Sequence, residues 1–310
     1  MTKEKSTIDD TLLIPVLSPG DKLYHYTSAE GLKGICEGEF WITERSFLND
    51  YTEFQVAKEV FKETLDRHMQ NKEKRELIKD AVSKEVDRLQ TPGLKPTDKV
   101  AYCGDYVISF SLDGDSPLMW SEYSDFAGYC LAFDFDKLLE SFTVKESAIM
   151  HGCVVYDPEE QLALMEKAIE HEFINWPKGF DYISSWSDFD LFSDEDITDF
   201  VQFMAVIITG YNMFFKLPCF EGEKEYRLIF SKTHDGGRSA PEQRDKQFFR
   251  SKDGVLIPFV KEPLKNLNSL EKVMVGATNK SDIAVKSLRY FLRNLNLDVC
   301  VEKSQMPLRY

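Results

Sequence analysis

The most apolar run in the chain, FVQFMAVIITGYNMFF at residues 200–215, decides which solvent the fold belongs to. It falls short of the roughly 20 apolar residues that a membrane span requires. It also contains Gln202 and Asn212 and follows the acidic stretch SDEDITD. These features predict a buried core helix over 197–216. The N-terminus, MTKEKSTIDD, is charged and lacks the apolar stretch of a signal peptide. With 310 residues, of which 43% are apolar, the chain can bury a full core without staples. Its six cysteines are scattered, none in a C-x-x-C pair, and most sit among apolar neighbours, as in Val299-Cys300-Val301. That usage predicts reduced core thiols in a soluble, cytoplasmic protein with no membrane partner.

The order of segments predicts a mixed α+β fold, with strands concentrated at both ends and helices between. LYHY, a Ser28-capped helix SAEGLKGIC and FWITERSF read as strand, helix, strand. Residues 52–90 are helical by period, with a turn expected at NKEKRE (71–76) and a proline-containing loop at 91–99. DYVISFS (105–111), YCLAFDF (129–135) and residues 148–156 read as strands, and EEQLALMEKAIEHEF as an amphipathic helix. EYRLIF (225–230) and VLIPFV (255–260) are strands joined by a long polar loop. The chain ends β-α-β, through VMVGA, a Ser281-capped helix and DVCVE.

Several chemistries have no residues to carry them. The five histidines are dispersed, without H-x-x-x-H or H-E-x-x-H, so metal catalysis is not expected. No G-x-G-x-x-G or G-x-x-x-x-G-K loop is present to cradle a phosphate. Cys36 with His25 suggests a thiol nucleophile, but Cys36 shares a short apolar helix face with Leu32 and Ile35, which is a packing position. Basic residues number 38 and acidic ones 53, for a net charge of −15. Such a chain does not coat nucleic acid or anionic membrane non-specifically, although a local basic surface is compatible with it.

Three segments resist a purely structural reading. In LYHYTS, His25 alternates with Tyr24 and Tyr26 near a strand end. In VISFSLDGDSPLMWSEY, Ser109 and Ser111 end a strand and lead to Trp120 and Tyr123. A Trp-Tyr pair at i and i+3 is commonly core, yet it also suits a flat wall for a planar ligand. In EGEKEYRLIF, Glu221, Glu223 and Glu225 alternate, and a period of two puts them on one strand face. That face is either a solvated edge or a set of carboxylates opposing a cationic or oxocarbenium-like centre.

Together, LYHYTSAEGLKGI, SFLNDYTEF, SFS…LMWSEYSDFAGYCLAFD, FKLPCFEGEKEYRLI and the terminal KSQMPLR resemble the bacterial "domain of unknown function 2971" family, from about residue 22 to about residue 307. That family more distantly resembles the ADP-ribosyltransferase superfamily of His-Tyr-Glu type. The resemblance implies one domain over 1–310, a split, bent β-sandwich with helical insertions at about 52–100 and 157–216. It implies NAD as substrate, no metal, and an NAD cleft between two sheets. His25 then bonds the nicotinamide-side ribose, with Tyr26 and Thr27 beside it on the same segment. Tyr123 stacks on nicotinamide, with Trp120 or Tyr26 as a second ring and Ser109 and Ser111 in the cleft. Glu225 bonds the ribose 2′-hydroxyl, and Glu223 handles the acceptor. Asn49, Asp50 and Glu53 lie in a loop that lines the cleft, while Arg227 either pairs with a carboxylate or touches ligand.

The implied function is ADP-ribosyl transfer to a macromolecule (RNA, DNA or protein), as in a toxin or phage-defence effector, with an antitoxin or inhibitor protein as a further partner. The alternatives are a non-catalytic, nucleotide-sensing module of the same fold, and an RNA 2′-phosphotransferase, which the glutamate-rich cleft disfavours. The chemistry fits the residues. Breaking the nicotinamide–ribose bond develops positive charge on the sugar, which a fixed carboxylate stabilises and for which no metal is needed. An aromatic face holds the pyridinium ring. The segment GGRSAPEQRDKQFFRSK carries Arg238, Arg244, Lys246, Arg250 and Lys252 with Phe248 and Phe249 interleaved. That mixture suits a single nucleic-acid strand, or else a hairpin loop whose phenylalanines return to the core.

Overall fold

A computed structural model describes residues 13–48, 55–90, 102–124, 126–144, 149–175, 185–234, 246–252, 254–278 and 282–306. In chain order the elements are β1 (Lys22–Thr27), α1 (Ala29–Cys36), β2 (Glu39–Glu44), α2 (Val56–His68), α3 (Lys72–Gln90), β3 (Tyr102–Ser111), α4 (Pro117–Ser124), β4 (Tyr129–Asp134), α5 (Phe135–Ser141) and β5 (Ile149–Cys153). They continue with α6 (Pro158–Asn175), α7 (Asp194–Tyr211), β6 (Glu225–His234), β7 (Gln247–Lys252), β8 (Val255–Pro263), β9 (Leu270–Val275), α8 (Asp282–Asn294) and β10 (Cys300–Lys303). The class is mixed α+β, as the order of segments predicts.

The chain divides into two compact units. The first is helical and built from α2, α3, α6 and α7, which come from the segments expected as insertions. Phe61, Leu65, Ile78, Val82, Met165, Ile169, Phe200 and Met204 are buried in it. The apolar run forms α7, which starts at Asp194 because Ser193 and Asp196 make a capping box. Gln202 is exposed, and buried Asn212 uses its side-chain oxygen to accept the Ala57 N–H at 3.0 Å. The break between α2 and α3 is shorter than the expected turn at 71–76. Asn71 Oδ1 accepts the Lys74 N–H, so the helix resumes at once and most of NKEKRE is helical. Among the described residues no helix is long and apolar enough to cross a membrane.

The second unit holds the ten-stranded sheet with α1, α4, α5 and α8. Strands run in the order β10-β9-β4-β1-β3-β2-β8-β7, with β6 on β3 and β5 on β6. Only β9 and β10 pair in parallel among the described strands, joined by α8 as the terminal β-α-β reading expects. The sheet forks at β3. One edge of β3 pairs with β6 from Tyr102 to Ser111. The other is shared between β1, at Ser111, and β2, at Tyr106 and Val107. The main core lies on one face of this sheet and includes Leu23, Phe40, Phe110, Phe133, Tyr226 and Leu228.

Two expectations fail here. The segment read as a long polar loop contains β7, which is hydrogen-bonded along β8 with Lys252 opposite Val255. The intervening Asp-Gly is a two-residue hairpin signal, and Gly254 has the positive φ of +81° that such a turn requires. Cys300 is exposed, because β10 is an edge strand, so the apolar neighbours of that thiol do not bury it; Cys219 is exposed as well.

Candidate functional site

The ends of β3 and β6 are tied together by the residues between them. Ser111 Oγ donates to the Glu223 carbonyl at 2.8 Å and accepts the Asp113 N–H at 3.1 Å. The Leu112 N–H donates to the Lys224 carbonyl at 2.9 Å. Lys224 has φ +45°, a left-handed conformation that costs a non-glycine residue of order 1 kcal/mol. Its ammonium lies 3.2 Å from Asp113 Oδ2. The three glutamates therefore do not alternate along one strand. Glu221 and Glu223 lie in a 3-10 turn, Pro218–Glu223, and the strand starts only at Glu225. Glu221 is exposed, whereas Glu223 and Glu225 are both buried, on either side of the Lys224 kink.

Helix α4 places the aromatics. Ser116 Oγ accepts the Met119 N–H, and Pro117 occupies the first helical position, where its missing N–H is harmless. Trp120 is wholly buried, with its indole N–H donating to Asp115 Oδ1 at 2.7 Å. Tyr26 meets it edge-on, ring centroids 5.0 Å apart at 86°. The Tyr26 hydroxyl donates to the Asp113 carbonyl at 2.7 Å and accepts the Ser116 N–H at 3.0 Å. Burial holds that phenol well above the usual tyrosine range. Trp120 and Tyr26 thus form a core that anchors α4, and neither presents a flat face to a ligand. Tyr123, one turn further on, is half-buried and donates its hydroxyl to Glu223 Oε1 at 3.2 Å.

Glu225 is held from its own strand. Arg227, two residues on and on the same face, sends Nε to Oε1 at 2.7 Å and Nη2 to Oε2 at 2.9 Å. Its guanidinium is 1% exposed, so the bidentate pair is sealed from solvent. Cross-strand register places Ser111 opposite Glu225 and Ser109 opposite Arg227.

His25 does not join this group. Its ring packs on Phe40 and Phe110, 5.6 and 5.5 Å away, which belong to the core on the other face of the sheet. Nδ1 donates to the Ser109 carbonyl at 3.0 Å, at the fork where β1 and β2 part along β3. Burial pushes its pKa down to about 4, with the nearby charge of Arg250 acting in the same direction, so the imidazole is neutral at pH 7. Thr27 shares that face of β1 and leans on α1, where a Cβ at Gly31 would lie 2.0 Å from the threonine hydroxyl. Cys36 is buried and its thiol is pushed up to about 12, a packing role and not a nucleophile. Asn49, Asp50 and Glu53 lie outside the described residues.

Sequence reasoning missed Asp115 and its bonds to Ser304 and Gln305. Asp115 gathers Ser304 Oγ at 2.6 Å and the Gln305 N–H at 2.9 Å besides the Trp120 indole. Met306 then packs on the cluster of Tyr26, Met119, Trp120 and Cys130. The acidic pair in LDGDS was the available signal.

No curated protein and no solved structure matches the chain. A family model described as "Protein of unknown function (DUF2971)" matches residues 119–228, which begins in α4, ends within β6 and includes Trp120, Tyr123, Glu223, Glu225 and Arg227. Over that stretch, the one that carries the carboxylate pair and its tyrosine, the chain is similar to the DUF2971 family.

Proposed function

We propose that the chain binds NAD and transfers its ADP-ribosyl group to a macromolecular acceptor, in the cytoplasm, on an ADP-ribosyltransferase-like fold. The observation that carries the reading is the pair of buried carboxylates, Glu223 and Glu225, on either side of the strained Lys224, with Tyr123 bonded to the first. Strain and buried charge at one kink are hallmarks of a functional site.

In the reaction the bond between ribose C1′ and the nicotinamide nitrogen breaks, and its electron pair leaves with nicotinamide. The acceptor nucleophile bonds C1′ and gives up a proton. Glu225, fixed by Arg227, opposes the positive charge that develops on the sugar. Glu223 takes the acceptor proton, and Tyr123 offers the aromatic face for the pyridinium ring. His25 acts as a positioning residue that closes the fork. The role of toxin or phage-defence effector, with an antitoxin or inhibitor partner, follows from the family resemblance.

A second reading has its own observation. Arg227 engages both oxygens of Glu225, which suits a module that binds a nucleotide without turnover. Incubating the protein with NAD and measuring nicotinamide release separates the two. Release that falls by about 10²-fold in Glu225→Gln supports transfer. Binding by calorimetry without release supports the module, and neither binding nor release overturns both.

A further inference from the structure

We propose that the sheet face formed by β2, β8 and β7 binds single-stranded nucleic acid, and that this is the acceptor class; only the second part rests on the transferase reading. Register places Phe248 opposite Phe259, Phe259 opposite Thr43, and Lys261 opposite Trp41, so these side chains share the face turned away from the main core. Three rings run across the three strands. Trp41 stacks on Phe259 at 5.0 Å and 30°, and Phe259 on Phe248 at 5.6 Å and 27°. Phe259 is buried between its neighbours, while Trp41 and Phe248 are only partly covered.

Cations lie over the same rings. Lys246 Nζ is 5.0 Å and Lys261 Nζ 5.4 Å from the Phe248 centroid, and Arg250 Cζ is 6.0 Å from that of Phe259. Lys261 pairs with Glu39 at 2.7 Å. Arg250 reaches across β8 to donate to Thr43 Oγ1 at 2.8 Å and has no carboxylate partner among the described residues. Burial lowers its pKa from the usual guanidinium value, so the charge is partly desolvated. On a chain of net charge −15, three cations against one carboxylate among the described residues of an aromatic face are a local exception. Phosphates pair with such cations while bases stack on the rings, and every base offers a flat face. Duplex DNA or RNA keeps its bases stacked on one another and gains only the charge part.

The test is fluorescence anisotropy of the full chain with labelled single-stranded RNA and DNA oligonucleotides across a salt series, without NAD. Three phosphate contacts predict a slope of log K against log salt of about −2, at roughly −0.7 per contact. Lys246→Ser with Arg250→Gln should bring the slope to about −0.7. Phe248→Leu, which keeps apolar bulk, should weaken binding about tenfold with the slope unchanged. Melting temperatures close to the parent protein's show that the variants fold. Equal affinity for duplex or inorganic polyphosphate, unchanged binding in all variants, or no binding by the parent protein overturns the proposal. Protein labelling without nucleic-acid binding overturns it too and leaves the transferase reading standing. Loss of nicotinamide release with binding intact removes that reading and leaves the nucleic-acid face.

Discussion

Arg227 grips both carboxylate oxygens of Glu225 from two residues along the same strand, at 2.7 and 2.9 Å, with both side chains buried. Breaking a buried pair by removing one partner costs about 3–5 kcal/mol, because the other charge is left unpaired. Arg227→Met should therefore lower the unfolding free energy by about that amount in a urea titration. A solvated strand-edge pair would move it by less than about 1 kcal/mol. Glu225→Gln should also lose stability, so its turnover must be measured well below its melting temperature.

Tyr123 combines a ring on α4 with a hydroxyl bonded to Glu223. Tyr123→Phe keeps the flat face and removes one hydrogen bond, a loss of about 1 kcal/mol of stability. It should retain most NAD affinity in calorimetry, whereas Tyr123→Ala should lose it. Equal unfolding of both variants in a thermal melt would show that the ring only packs.

His25 has its pKa pushed down to about 4 in the folded chain, against about 6.5 when unfolded. The unfolded state thus binds the extra proton between those values, and stability from this group rises with pH across the window. It is fully present above pH 6.5 and is lost as pH falls towards 4, about 3 kcal/mol in all at 1.4 kcal/mol per unit. Between pH 7 and 4 the unfolding free energy of the parent protein should fall by about this amount more than that of His25→Gln. Parallel curves would show that the ring titrates normally.

Asp115 accepts three donors, from Trp120, Ser304 and Gln305. Asp115→Asn turns one acceptor into a donor facing these groups and should cost about 1–3 kcal/mol. Hydrogen exchange should quicken first at Val301–Met306, where the chain end is tied down, and the rate in the helical unit should not change. Uniform quickening would mean that Asp115 supports the whole sheet unit instead.

Much of the fold was readable because it depends on local pattern. Alternation in LYHY and DYVISFS, the Ser28 cap and the period of α7 are set by neighbours in the chain, so β1, β3, α1 and α7 follow from them. The resemblance grouped His25, Tyr123, Glu223 and Glu225; Tyr123 bonds Glu223, while His25 packs on Phe40 and Phe110 on the other face. Where a second rule competed, the pattern misled. The polar composition around β7 hid a strand, although the sequence carries a glycine at 254 just before β8. Alternation of Glu221, Glu223 and Glu225 implied one face, but the turn before β6 and the left-handed Lys224 broke the period.

By itself the sequence determined the class of fold and the helical character of the apolar run, since both are written in spacing and capping. Tertiary structure alone decided which side of the sheet each residue faces and what it touches. His25 and Tyr26 are adjacent in sequence, yet a strand sends them to opposite faces, one to the core beside Phe40 and Phe110 and the other to Trp120. Two of the three donors to Asp115 come from Ser304 and Gln305, nearly two hundred residues away, and Arg250 bonds a threonine on another strand. Such pairings depend on strand register and on the fork at β3, which are fixed by the whole sheet closing over its core and by no local stretch of chain.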